Sequence, residues 1–207
     1  MTDAHPHLHR FDSAAAAADR LSKLDLAAPA RPVAAASGAD LAAAARALVA
    51  AGMTGDAVSV LGQALEKRAA VWWACRAAQN EPAPEPAAAG PAARGLLAAE
   101  AAALAAAESW VREPDAAKAH AAFAAAHAAG MASPAACAAL AAFFAGDSIA
   151  PIGGTAVPPP DHVAGLVSAG AVQLAAVRHR PDVAPQTLAA FVDRGFAIAA
   201  GRDHWEK

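Results

Sequence analysis

Tyrosine is absent from this chain, and one of the common general acids is absent with it. Cysteine occurs only twice, at Cys75 and Cys137, each in an alanine-rich context. That excludes a disulfide framework and a Cys-x-x-Cys metal or redox motif. Such cysteines read as small buried hydrophobes in a reducing compartment, here the cytoplasm. Charge is thin too: Asp, Glu, Lys and Arg make up 17% of the residues and the net charge is −3. No electrostatic attraction to nucleic acid is expected from that balance. Lys67–Arg68 with Arg76, and Arg178 with Arg180, read as solvated helix ends.

Long apolar runs are also missing. No window reaches the ~20 strongly apolar residues of a membrane span. Ala128 to Gly146 is free of charge but holds Pro134 and two glycines, and His162 to Val177 is too short. Membrane insertion is therefore not expected. The first residues lack the apolar core of a signal peptide. There is no Gly-x-Ser-x-Gly elbow, no phosphate loop ending in Gly-Lys-Ser/Thr and no His-Glu-x-x-His. His5, His7 and His9 alternate, but no carboxylate or cysteine cluster supports a metal site there. His120 and His127, seven residues apart, lie about 10.5 Å apart along a helix axis, too far to share a metal. No catalytic residue, metal ligand or cofactor is assigned.

What the chain does have is alanine, roughly one residue in three, the strongest helix former but a weakly apolar one. A buried aromatic removes about 150–250 Å² from water, or ~4–6 kcal/mol at ~25 cal/mol per Å², against ~0.8 kcal/mol for a methyl. The few bulky residues are therefore expected to decide which helix faces meet. They concentrate at Lys67 to Ala78, which carries Trp72, Trp73 and Cys75. On a helix the two tryptophans point about 100° apart. Trp72 lines up with Arg68 and Cys75 and is assigned to the core, with Leu61, Leu65 and Phe144. Trp73 shares its side with Arg76. Both tryptophans read as core in a helix packed on two sides, or else Trp73 and Arg76 form a half-exposed contact surface of the kind enriched at interaction hot spots. Trp110 with Arg112 is a second such pair, and these four are the candidate interaction residues.

Punctuation predicts an all-α fold of stacked antiparallel helical hairpins, HEAT-like or an irregular bundle. Residues 1–11 read as a disordered leader and 12–201 as one helical domain. Its sub-blocks, 12–79 and 92–201, are joined by a flexible Pro/Ala linker at 80–91; 202–207 is a tail whose Trp205 folds back or hangs free. Pro29 and Pro32 break the first helix, Ser37 to Asp40 has the form of a capping box, and Gly52 and Gly130 stop helices at two matching Ala-Ala-Gly-Met junctions. Residues 56–79 form one helix or two. Residues 146–160 are rich in Gly and Pro and form an irregular loop, whose Ile149, Ile152 and Val157 suggest that it lies on the body.

Several stretches together resemble a bacterial helical domain family of unknown function. They are Ala57 to Leu65 leading into Lys67-Arg68 and Val71-Trp-Trp-Ala-Cys75, then Glu108-Ser-Trp-Val-Arg-Glu-Pro114. Later come Ser133-Pro134, the phenylalanine pair before Gly146-Asp-Ser, Val157 to Pro160, and Gly195 to Gly201. The resemblance covers about residues 40–201. It implies a proline where Glu66 stands, hence two helices, a tryptophan where Phe144 stands and a glycine where Asp147 stands. It also places members near bacterial secretion genes, contractile type VI systems among them. The function expected is a non-catalytic protein-interaction or scaffold module, as an accessory or adaptor of a secretion apparatus. The alternatives are an enzyme with a site assembled from scattered residues such as His162, Arg112, Asp147 and Cys137, or a membrane-associated bundle.

Overall fold

A computed structural model of the chain describes residues 6–80 and 90–205. Among these residues there are ten α-helices and no strand, so the class is all-α. They are α1 (Ala14–Ser22), α2 (Ala30–Ala35), α3 (Leu41–Ala50), α4 (Thr54–Ala64), α5 (Lys67–Gln79), α6 (Pro91–Arg112), α7 (Ala116–Ala128), α8 (Pro134–Ala145), α9 (Val163–Val177) and α10 (Ala184–Ala199). The linker expected at 80–91 falls largely on residues outside those described, as do the first five residues and the last two. Pro91 itself already belongs to α6.

Local chemistry sets the boundaries. Ser13, Asp40, Asp115 and Ser133 each accept a hydrogen bond from the backbone N–H three residues on, satisfying one of the orphan donors at a helix start. Asp40, not Ser37, is the cap of α3. Pro29 and Pro32 do not simply break the chain. They sit at the N-cap and in the first turn of the short helix α2, where a proline's missing N–H has no partner to lose. At both Ala-Ala-Gly-Met junctions the glycine takes positive φ (76° at Gly52, 78° at Gly130). The methionine N–H then reaches back to Leu48 O or Ala126 O, closing the turn as a Schellman motif.

Residues 56–79 form two helices, and the break has a visible cause. Leu65 and Glu66 are extended because the N-terminal segment lies alongside them. His9 N–H donates to Ala64 O at 2.8 Å, Glu66 N–H donates to His7 O at 2.9 Å, and Leu8 pairs antiparallel with Leu65. The leader expected without structure at 1–11 is thus, in its described part, paired to the body through the backbone of His7 and His9. Trp205, left open in the sequence, is buried.

The centre is built by α5, α8 and α9, which pack on one another; α4 and α10 cover α9 on one side, and α6 and α7 cover α8 on the other. Helices before and after the linker therefore share one core. Two features set their spacing. Gly62 of α4 and Gly165 of α9 meet backbone to backbone: a Cβ on Gly62 would lie 2.5 Å from Gly165 O. In α8 and α7 the alanine faces point inward. Ala138, Ala139, Ala141 and Ala142 are fully buried, as are Ala122 and Ala126, while Cys137, Leu140 and Phe144 of α8 are only half-buried and Phe123 of α7 is exposed. The expectation that Phe144 lies in the core is thereby corrected. Its neighbour Phe143 is the buried member of the pair, stacked on Phe123 with ring centroids 4.7 Å apart. The reason is room: a helix surrounded on several sides approaches its neighbours closest where it carries only methyl groups.

Candidate interaction surface

The two tryptophans of α5 are both interior, and Trp73 is the deeper. It has no accessible surface, and its indole N–H donates to Phe191 O of α10 at 2.7 Å. Gly195, one turn further along α10, leaves the space, since a Cβ there would lie 3.1 Å from the indole nitrogen. The half-exposed surface expected from Trp73 and Arg76 is therefore corrected: Trp73 is a core residue, and only Arg76 reaches solvent. Trp72 is buried as well, at the rim, with its N–H on Asp203 O at 3.2 Å. Leu61 and Leu65 are buried beside them. Arg76 lies over the Trp72 ring and within 3.7 Å of the Asp203 carboxylate.

The second pair divides in the same way. Trp110 is buried near the end of α6, and what remains of its surface only lines a cleft. Arg112 is exposed and pairs with Glu108 one turn back at 3.0 Å. What joins α5 to this region is Arg68, whose guanidinium donates to Val111 O at 2.6 Å and Arg112 O at 2.8 Å. Those carbonyls lie at the C-terminal end of α6, where a cation is favoured by the helix dipole. Further along, Gln79 bridges Arg76 and Glu108. A cleft of about 230 Å³ opens here, lined by Lys67, Arg68, Trp110, Asp115, Gly146 and Asp147 among others. Three of its charges are already engaged: Lys67 pairs with Asp161 at 3.0 Å, Arg68 is held by α6, and Asp115 caps α7.

Residues 146–160 form an ordered loop on α7. Ser148 Oγ accepts from Ala150 N–H and Val157 N–H, and Ile149 N–H donates to Val157 O at 2.9 Å. His120 ties the loop down, its Nε2 lying 2.9 Å from Ala150 O. In sequence His120 enters only with His127, as a metal pair that the spacing excludes; the loop it anchors lies thirty residues away, beyond any helical periodicity. The loop's tip, residues 151–158, is exposed throughout and carries no charge. Ile152 is 66% exposed and Val157 48%. Phe123, which packs tilted against the same Phe143 ring that His120 meets edge to face, adds a third exposed apolar side chain near the loop's base.

Burial pushes the Cys75 thiol far above its ordinary range and Cys137 upward too, the opposite of an activated thiol. Of His162, Arg112, Asp147 and Cys137, the cleft is lined only by Asp147. Among the described residues no group of three or more His, Cys, Asp and Glu side chains is placed to hold a metal, and no helix is long and apolar enough to cross a membrane.

The model of a family of unknown function, DUF6931, matches residues 44–199. No curated protein and no solved structure matches the chain. The matched span takes in most of α3 and all of α4 to α10, leaving out the N-terminal segment, α1, α2 and the residues after α10. At about three quarters of the chain, that match establishes membership: this protein belongs to the DUF6931 family of unknown function.

Proposed function

We propose that this protein is a non-catalytic protein-interaction module that presents the 146–160 loop and the adjoining Phe123 to a protein partner. One observation carries the reading: a loop with a charge-free tip holds Ile152 and Val157 in solvent, yet is tied in place by its own serine and by His120. Compact ordered loops of this kind are frequently functional. An apolar tip fixed in advance also lowers the ordering cost of binding. The burial of Trp73 and Trp110 moves the contact face away from the tryptophans. The two free cysteines are consistent with a reducing compartment such as the cytoplasm, and the resemblance noted above favours a partner within a bacterial secretion apparatus.

The test is site-specific photo-crosslinking from position 152, run beside the double substitution Ile152→Asp/Val157→Asp. Exposed positions tolerate such changes within about 0.5 kcal/mol, so the melting curve should stay in place. A single stoichiometric adduct, abolished by the double substitution, is the expected result. An adduct that survives it, or contact only with lipid, would sink the reading. Trp73→Ala is no use as an interface probe, because a fully buried indole is lost from the core first.

A further inference from the structure

The C-terminal segment after α10 lies outside the family match and sits on residues that lie within it. Gly201 turns the chain with φ 71°, and Arg202 N–H closes the turn on Ala197 O. The next three residues then run across α5 and α10. The Asp203 carboxylate lies 3.7 Å from Arg76 Nε and 3.6 Å from Arg194 Nε, so one carboxylate serves two guanidiniums. Asp203 O takes the Trp72 indole N–H. Trp205 is buried beneath Arg68, whose guanidinium carbon is 4.7 Å from the ring centroid, and against His7 at 4.9 Å.

We propose that Arg68, Trp72, Arg76 and Arg194 form a binding seat for an extended segment of the pattern acidic–x–tryptophan. The chain's own Asp203-His204-Trp205 occupies it in cis, and a partner protein bearing the same pattern takes it in trans. Two independent observations support an exchangeable occupant. The first is complementarity: two arginines receive one carboxylate, and a third covers an indole, as cation–π contacts favour. The second is that the fit is incomplete. Trp205 Nε1 and His7 Nε2 are buried there without a hydrogen-bond partner, and Arg76 Nε, also buried, meets Asp203 only at 3.7 Å, beyond hydrogen-bond range. Buried unpaired polar atoms are uncommon and cost stability, so the occupant holds less tightly than its contact list suggests. A segment tethered in cis has an effective concentration in the millimolar range, which masks the seat from weak competitors. This seat is separate from the 146–160 loop, and neither reading depends on the other.

The experiment uses the full chain with Asp203→Ser/Trp205→Ser, which empties the seat while keeping the backbone carbonyl that Trp72 uses. The probe is a fluorescein-labelled peptide with the sequence of residues 199–205, followed by anisotropy. The emptied chain should bind it at least ~10-fold tighter than the wild type does, since the tethered segment no longer competes. Binding should vanish when Arg76→Ser/Arg194→Ser is added, or when the peptide's Asp and Trp are both replaced by Ser. A folded double variant that binds the peptide no better than wild type overturns the proposal. A dimer that grows with concentration in the wild type and disappears in the double variant would assign the seat to exchange between copies, and would overturn the partner reading. If the double variant does not fold, hydrogen exchange on the wild type decides. Residues 201–205 should exchange at least ~100-fold faster than α5, and equal protection of both would make the segment a fixed part of the core.

Discussion

Glycine-to-alanine substitution at two positions of α9 should shift stability in opposite directions. Gly165 and Gly170 lie five residues apart in the same helix. Alanine in place of a helical glycine is worth about 0.5–1 kcal/mol from the reduced entropy of the unfolded chain. At Gly170 nothing lies within 4 Å of an added Cβ, so Gly170→Ala should gain that amount. At Gly165 the new methyl would sit 2.9 Å from Gly62 C and 3.0 Å from Gln63 Nε2, and closer still to Gly62 O. The nearest obstacles are backbone atoms, so α4 and α9 must separate. Overpacking of this kind costs about 1–3 kcal/mol, occasionally more, which outweighs the entropic gain. The net expectation is a loss of about 1–2 kcal/mol. Between the two variants the gap is then roughly 1.5–3 kcal/mol, or about 3–12 °C in melting temperature for a chain of this size. Far-UV circular dichroism melts, with urea midpoints as a check, would measure it. If both variants move the same way by similar amounts, the backbone contact between α4 and α9 is not what limits their approach.

Three further outcomes follow from the packing and titration. Trp73→Ala should lose about 3–5 kcal/mol while the exposed Arg112→Ala stays within about 0.5 kcal/mol; equal urea midpoints for the two would contradict the burial of Trp73. His9 is held below its ordinary value of 6.5 by burial first and by Arg20 second, so its NMR titration should fall below 6.5 and rise part of the way back in Arg20→Ala. The sign follows: the folded state takes the proton less readily, so the stability His9 contributes is present above 6.5 and is lost as pH falls through the folded value. With thiol reagent at pH 8, native protein should react at Cys137 slowly and at Cys75 not at all, and unfolded protein at both; rapid labelling of native Cys75 would refute its burial.

Most of the ten helices were legible because their signals are local, although the prolines of α2 signal a break and nothing local in 56–79 decides between one helix and two. Caps at Ser13, Asp115 and Ser133, glycine stops at Gly52 and Gly130, and prolines at first-turn positions act within three or four residues. The contact surface was less legible. Tryptophan beside arginine at Trp73–Arg76 and Trp110–Arg112 has the composition of a hot spot, but composition does not report which side of a helix has neighbours. His120 and the 146–160 loop, or Asp203 and the pair Arg76–Arg194, meet across the chain, and nothing in their spacing announces it.

By itself the sequence determined that the chain would be helical and where most of its helices start and stop, because alanine propensity and capping are properties of short segments; α2 and the break at Leu65–Glu66 lay beyond it. Only the tertiary structure decided which faces turned inward. Bulky side chains were expected to choose those faces, and Trp72, Trp73 and Leu61 did take interior places. In α7 and α8, however, alanine faces lie at the closest approach, and Phe123 and Phe144 are left toward solvent. The physical reason is that an area scale rewards burying a large side chain wherever space exists, but where several helices crowd one another the space itself is set by backbone distance. There a methyl group, or no side chain at all as at Gly62 and Gly165, is what fits.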